Sequence, residues 1–137
     1  MSVRPEVLEI IRQWVRKAEH DLEAAKRITA VDEGCPYDTA CFHCQQAVEK
    51  YLKALLTLLG IPAPRTHDLE ALSALLPPER RLSLSPAALA AMNPSAVEVR
   101  YADDWREPGR NDAELLLETA QAVREEIRCY LPGEALE

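Results

Sequence analysis

From Val7 onward the apolar residues Val7, Ile11, Trp14, Ala18, Leu22, Ala25 and Ile28 recur at steps of three and four. That spacing keeps them on one stripe of a helix, while Arg12, Arg16, Glu19, Glu23 and Arg27 fall largely off it. Pro5 suits the first turn, where a missing N–H has no helical partner to lose. The helix is expected to fade near Asp32, with Gly34-Cys35-Pro36 turning the chain. A second helix is predicted from Tyr37 or Asp38 to Gly60, a natural residue just past a helix end. It is the most two-sided stretch of the chain. Ala40, Cys41, Cys44, Ala47, Val48, Tyr51, Leu52, Leu55, Leu58 and Leu59 share a broad apolar face. His43, Gln46, Lys50, Lys53 and Thr57 line the other, with Gln45 and Glu49 at its edge, and Glu49 and Lys53 are spaced as a favourable i,i+4 pair.

Pro62 and Pro64 keep the next linker out of helix. Thr66 or Asp68 can then cap a short third helix with Leu69, Leu72, Leu75 and Leu76 on its buried side, stopped by Pro77-Pro78. Ser85-Pro86 reads as a cap followed by Pro at the first helical position, opening a short helix that Asn93-Pro94 interrupts. Ser95 and Glu98 have the spacing of a capping box, so helix is expected to resume toward Tyr101. Residues 103–110 form a polar loop. Asn111 to Glu114 resembles another cap, and the last helix aligns Leu116, Ala120, Val123, Ile127 and Tyr130 until Leu131-Pro132-Gly133. No internal repeat is visible. The pattern predicts one domain over residues 1–137, all-α, an up-and-down four-helix-type bundle with an additional short helix. The brief connection at 34–36 makes the first two helices antiparallel neighbours.

Composition supports this fold. Hydrophobic residues make up 47% of the 137 residues, which argues against disorder, and only 5% are aromatic, which argues against a sheet. The net charge of −7 weighs against a duplex nucleic-acid binder that works by neutralising phosphates. No apolar run is long enough to span a bilayer, and MSVRPEVLEIIRQW turns amphipathic too early for a secretory signal, so a cytoplasmic location is expected. Cys41 and Cys44 lie a turn apart on the apolar face and read as small core residues. No second Cys/His pair has ligand spacing, so neither a metal nor a cofactor is expected. Cys35 and Cys129 are the remaining thiols, and a disulfide between them is conceivable. His20, among charges, reads as solvated.

The run ACFHCQQAVEKYLKALL at 40–56, Gly60, and PRTHDL at 64–69 together resemble the HEPN domain family (higher eukaryotes and prokaryotes nucleotide-binding). Trp14 with AEHDLEAA at 18–25, and Arg100-Tyr101, fit the same pattern, so the likeness spans nearly the whole chain. The resemblance implies a helical bundle, often dimeric or higher. It also implies an interaction or nucleotide-binding role, frequently as partner of a minimal nucleotidyltransferase in a two-component, toxin–antitoxin-like pair. Some branches are RNases with an Arg and a His separated by four to six residues. Here the nearest Arg precedes His20, His43 and His67 with three, fifteen and one residues between, and no His follows Arg100. The usual RNase signature is absent.

Gln46, Glu49, Lys50, Lys53, Arg65, His67, Arg100 and Tyr101 are the candidate ligand-binding residues. The cations suit a phosphate and the amides a base edge. Their plainer reading is a solvated helix face with His67 bonded to its own loop. Phe42, an aromatic on the polar side, and Trp105, in a charged loop, are the candidate interface residues. The alternative reading is a divergent RNase toxin using Lys53, His67 and Arg100 on an RNA substrate.

Overall fold

Helix α1 runs over Pro5–Thr29 and α2 over Tyr37–Leu58 in the computed structural model, which describes residues 2–96 and 107–137. Pro5 occupies the first turn of α1, and Lys26 and Arg27 lie in its last turn, where positive charge suits the carbonyl end. The chain then turns through Gly34, at φ +73°, and re-enters α2 antiparallel to α1. These two helices share the largest contact in the molecule, and α5 (Arg110–Arg128) closes over α2 as the third long helix. Two short helices, α3 (Leu69–Ala74) and α4 (Pro86–Met92), cover the remaining flank. No strand occurs among the described residues. The all-α bundle anticipated from the pattern is what forms.

The core lies where the predicted stripes meet. Ile11, Ala18, Leu22 and Ala25 of α1 pack with Cys44, Val48, Tyr51, Leu52 and Leu55 of α2 and with Ala120, Val123 and Ile127 of α5, all buried. Of the apolar positions expected inside, Val7, Ile28, Leu116 and Tyr130 are half-buried at the margin of the core, and four more also depart from the expectation. Leu58 and Leu59 are only half-buried where α2 ends, and just past the end of α3 Leu75 is exposed while Leu76 takes the buried position. Trp14 is half-buried at the edge of the core, its ring meeting ammonium groups as well as apolar atoms.

The caps follow the sequence with two adjustments. Asp68 accepts from the N–H of Ala71 and caps α3, and Ser85 accepts from Ala88 and caps α4. Helix α4 ends at Met92, where Asn93-Pro94 is expected to interrupt it, and the backbone goes on as a 3₁₀ turn at Asn93–Ala96, which Pro94 tolerates. The Asn93 side chain is thereby freed to accept from Leu69 N–H and donate to Asp68. The resumption toward Tyr101 expected after Ser95 lies outside the described residues. At α5 the start is Arg110 rather than beyond Asn111. The Asp112 carboxylate reaches back to Gly109 N–H at 2.8 Å, so the cap sits two residues earlier than the Asn–Glu spacing suggested.

Cys41 and Cys44 are buried, and burial pushes their thiols up to about 11 and about 12 respectively. They stay protonated, inert core residues. Cys35 and Cys129 are both free rather than bridged, and the Cys35 thiol donates to the carbonyls of Val31 and Ile28 instead.

One ionic clamp ties the ends of the chain together. The Arg124 guanidinium donates to both oxygens of Glu19 at 2.8–3.0 Å, and Arg128 adds a longer contact to Glu19 and one to the Tyr51 hydroxyl at 3.4 Å. Partial burial raises the Glu19 carboxyl, but hydrogen bonds from Arg124 and Tyr51 and the two guanidinium charges outweigh it and hold it below its ordinary value. A carboxyl depressed in the folded state contributes stability that is fully present above its unfolded value and is lost as pH falls through its folded one. Glu19→Gln is therefore expected to flatten the acid limb of the stability–pH curve, read from denaturant unfolding between neutral and acid pH. An unchanged acid limb would remove the clamp from the account.

Candidate functional site

The polar edge of α2 is built around two buried carboxylates, one from each of the first two helices. Asp21 sits in line with the apolar stripe of α1 and is nearly inaccessible. His43 Nδ1 lies 2.7 Å from its Oδ1, and Lys50 Nζ donates to its Oδ2. Glu49, 3% exposed, takes the same role from α2. Its Oε1 lies 2.7 Å from His67 Nδ1 and accepts a longer bond from Gln46 Nε2 at 3.3 Å, while its Oε2 accepts from Lys53 Nζ at 3.1 Å. A carboxylate can only accept, so both imidazoles present Nδ1–H inward and leave Nε2 as the outward atom. Each burial is tolerable because each carboxylate is both paired and hydrogen-bonded.

The linker after α2 is held against this edge from three sides. Gly60, at φ +71°, ends α2 with the Gly60 N–H on Thr57 O and the Ile61 N–H on Leu56 O, a left-handed closure that a side chain would strain. Gln45, fully buried, donates to His67 O at 2.9 Å and accepts from Gln46 at 2.8 Å. Asn93 then fixes the start of α3 next door. A two-proline linker lowers the entropy lost in taking up this path. The result is an exposed His67 ring on a tethered backbone, its side chain 67% accessible while its Glu49 partner is 4% accessible.

The site extends across to α1 at Trp14. Lys53 Nζ lies 5.4 Å from the indole centroid and Lys17 Nζ 5.9 Å, both within cation–π range. At the other end, Phe42 packs edge-on to His43 with centroids 5.4 Å apart. Phe42 is half-buried, with His43 as a neighbour within the chain.

Gln46, Glu49, Lys50, Lys53 and His67 are thus brought together as the sequence suggested. Gln46 and Glu49 are buried rather than solvated, with His67 of the linker lying against Glu49. Arg65 is exposed on the linker, without a bond to any described residue. Arg100, Tyr101 and Trp105 lie outside the described residues. Asp21 was missed by the sequence reading, although one signal was available: it interrupts an otherwise apolar stripe, three residues after Ala18 and four before Ala25. A carboxylate in that register needs a cation from the facing helix. No cluster of three or more His, Cys, Asp and Glu able to hold a metal occurs among the described residues. Nor, among them, is any helix long and apolar enough to cross a membrane.

The arrangement pairs each of two carboxylates with a lysine ammonium and an imidazole, with an indole and Lys17 at its border. Comparison with known proteins gives this edge a family context. The fold is similar to the crystal structure of TT1696 from Thermus thermophilus, with a TM-score of 0.75 and 27% identity over 88% of this chain and 98% of that one. It is also similar to ST0689, described as an archaeal HEPN homologue, with a TM-score of 0.66 and 25% identity over 88% and 96% of the two chains. No curated protein sequence matches. Residues 11–130, from the core of α1 to the end of α5, match the model of the HEPN domain, and the chain belongs to that family.

Proposed function

We propose that this HEPN domain is an interaction and nucleotide-binding module, working as the partner of a minimal nucleotidyltransferase in a two-component, toxin–antitoxin-like pair, and assembling as a homodimer or larger. The observation that carries the ligand part is the fixing of Lys50 and Lys53 by buried carboxylates. An ammonium has three donors, and each lysine commits one to its carboxylate, leaving others at a defined position for a phosphate oxygen. Trp14 offers an aromatic face beside Lys53 for a base. Because Asp21 and Glu49 offset the two charges, affinity here rests on directed hydrogen bonds more than on net attraction.

Calorimetry with ATP and AMP tests this directly. Saturable binding is expected, weakened roughly tenfold in Lys53→Ala, since a charge-assisted bond is worth about 1.5–3 kcal/mol. Absence of heat with either nucleotide would remove the ligand part. Light scattering that finds only monomer would remove the assembly part, and failure to co-purify with a co-expressed nucleotidyltransferase encoded beside it would remove the partnership.

A second reading is favoured by one contact. The 2.7 Å approach of Glu49 to His67 orients an exposed imidazole as a general acid or base, the group that metal-free RNA cleavage requires. A divergent RNase would cleave RNA as the purified protein and lose that activity in His67→Ala.

A further inference from the structure

Helix α1 carries chemistry on two opposed sides. Trp14 and Asp21 turn toward α2, whereas Arg12, Arg16, Glu19 and His20 lie about half a turn round, near the end of α5. There they border an open cleft of about 250 Å³, closed opposite by Arg128 and by Leu136 and Glu137. Its floor is apolar, with Val15 and Ala135 both buried.

The cleft is electropositive within a chain of net charge −7. Glu19 is already matched by the bidentate Arg124, so Arg128 faces the cleft as surplus charge. Arg12 is anchored through Nε, which donates to Glu134 O at 2.8 Å, and Glu9 approaches its Nη1 only at 3.7 Å. Arg16 is exposed and has no bond to any described residue. Glu137 also lines the cleft, without an ion pair to a described residue.

We propose that this cleft binds a small phosphorylated molecule. Guanidinium forks match phosphoryl oxygens in shape and charge, and two from α1 face one from α5. The volume falls below that of drug-sized sites, which suits a phosphoryl group with a short organic part over Val15 and Ala135. A long polyanion is disfavoured, because the net charge of the chain repels it beyond the cleft. The site lies across α1 from Lys50 and Lys53 and stands independently of the reading above.

Pyrophosphate is the probe. Calorimetry on the full chain is expected to show a saturable binding event that depends on Arg16. Arg16→Ala is expected to weaken it about tenfold or more with little change in thermal stability, because that side chain has no partner among the described residues. Arg27→Ala, which removes the same charge from an exposed pair with Glu23, is expected to stay within about twofold of the parent, consistent with the modest worth of such pairs. Three results would overturn the proposal: no saturable binding at millimolar pyrophosphate, equal affinity in Arg16→Ala, or loss in Lys53→Ala instead. Succinate binding as tightly as pyrophosphate would overturn the phosphoryl assignment. Single-stranded RNA binding more tightly, with the same dependence on Arg16, would overturn the small-molecule assignment.

Discussion

Replacing Asp21 with Ala is expected to remove about 3–5 kcal/mol of folding stability, the usual loss when one partner of a buried ion pair is deleted. The side chain is 10% accessible, and its removal strands Lys50, itself 20% accessible, together with the Nδ1–H of His43. Small domains have only about 5–15 kcal/mol in total, so the variant stands near the margin of folding. Urea unfolding measures the effect. Lys50→Met in the same chain should restore part of the loss, because an apolar side chain of similar length needs no counter-charge in that position. A loss below about 1 kcal/mol would mean that the pair behaves like a surface salt bridge, and the preorganisation of Lys50 would go with it.

Glu49→Ala is expected to cost a similar amount, about 3 kcal/mol, with an added local signature. Lys53 loses its acceptor inside the bundle, Gln46 keeps only its bond to Gln45, and His67 loses the side-chain contact that holds it over α2. The linker then keeps Gln45 as its attachment at His67. Trypsin cleavage after Arg65 should accelerate more than the global loss of stability accounts for, since local opening is governed by local contacts. Comparing Glu49→Ala with Gln45→Leu separates the two attachments: Gln45→Leu removes the backbone restraint on His67 while leaving the carboxylate in place. If neither substitution alters cleavage at Arg65 beyond its effect on global unfolding, the linker is held by something other than these two side chains.

Periodicity made the helices legible, because the apolar stripes of α1, α2 and α5 are long and each meets a partner of the same kind. It also brought into view the polar residues of α2 that the fold gathers at one edge. What periodicity cannot report is which element lies over a polar edge. Gln45, Gln46 and Glu49 look like surface residues in a helical projection and are buried because a proline-bearing linker folds back on them. Leu75 shows the opposite error: its spacing fits the stripe of α3, but α3 stops one residue short of it. Asn93 read as a helix breaker, and α4 does end just before it, but its side chain also holds α3 in place, a long-range contact with no local trace. Asp21 was the recoverable omission. Its position within the stripe, opposite a helix with two lysines on its polar side, contains the physical reason for its burial.

The separations along the chain have a further consequence. Asp21 meets His43 and Lys50 across 22 and 29 residues, and Glu49 meets His67 across 18, whereas Glu19 and Arg124 are 105 residues apart. Closing the longer loop costs roughly 1 kcal/mol more chain entropy than closing the 29-residue one, from the logarithmic dependence on loop length. The α1–α2 hairpin with its linker therefore holds nearly all of the described polar edge as contacts of short span. The Arg-lined cleft exists only once α5 has come home. The two faces of α1 thus differ in topology as well as charge: one belongs to a local unit of the chain, and the other to the completed bundle.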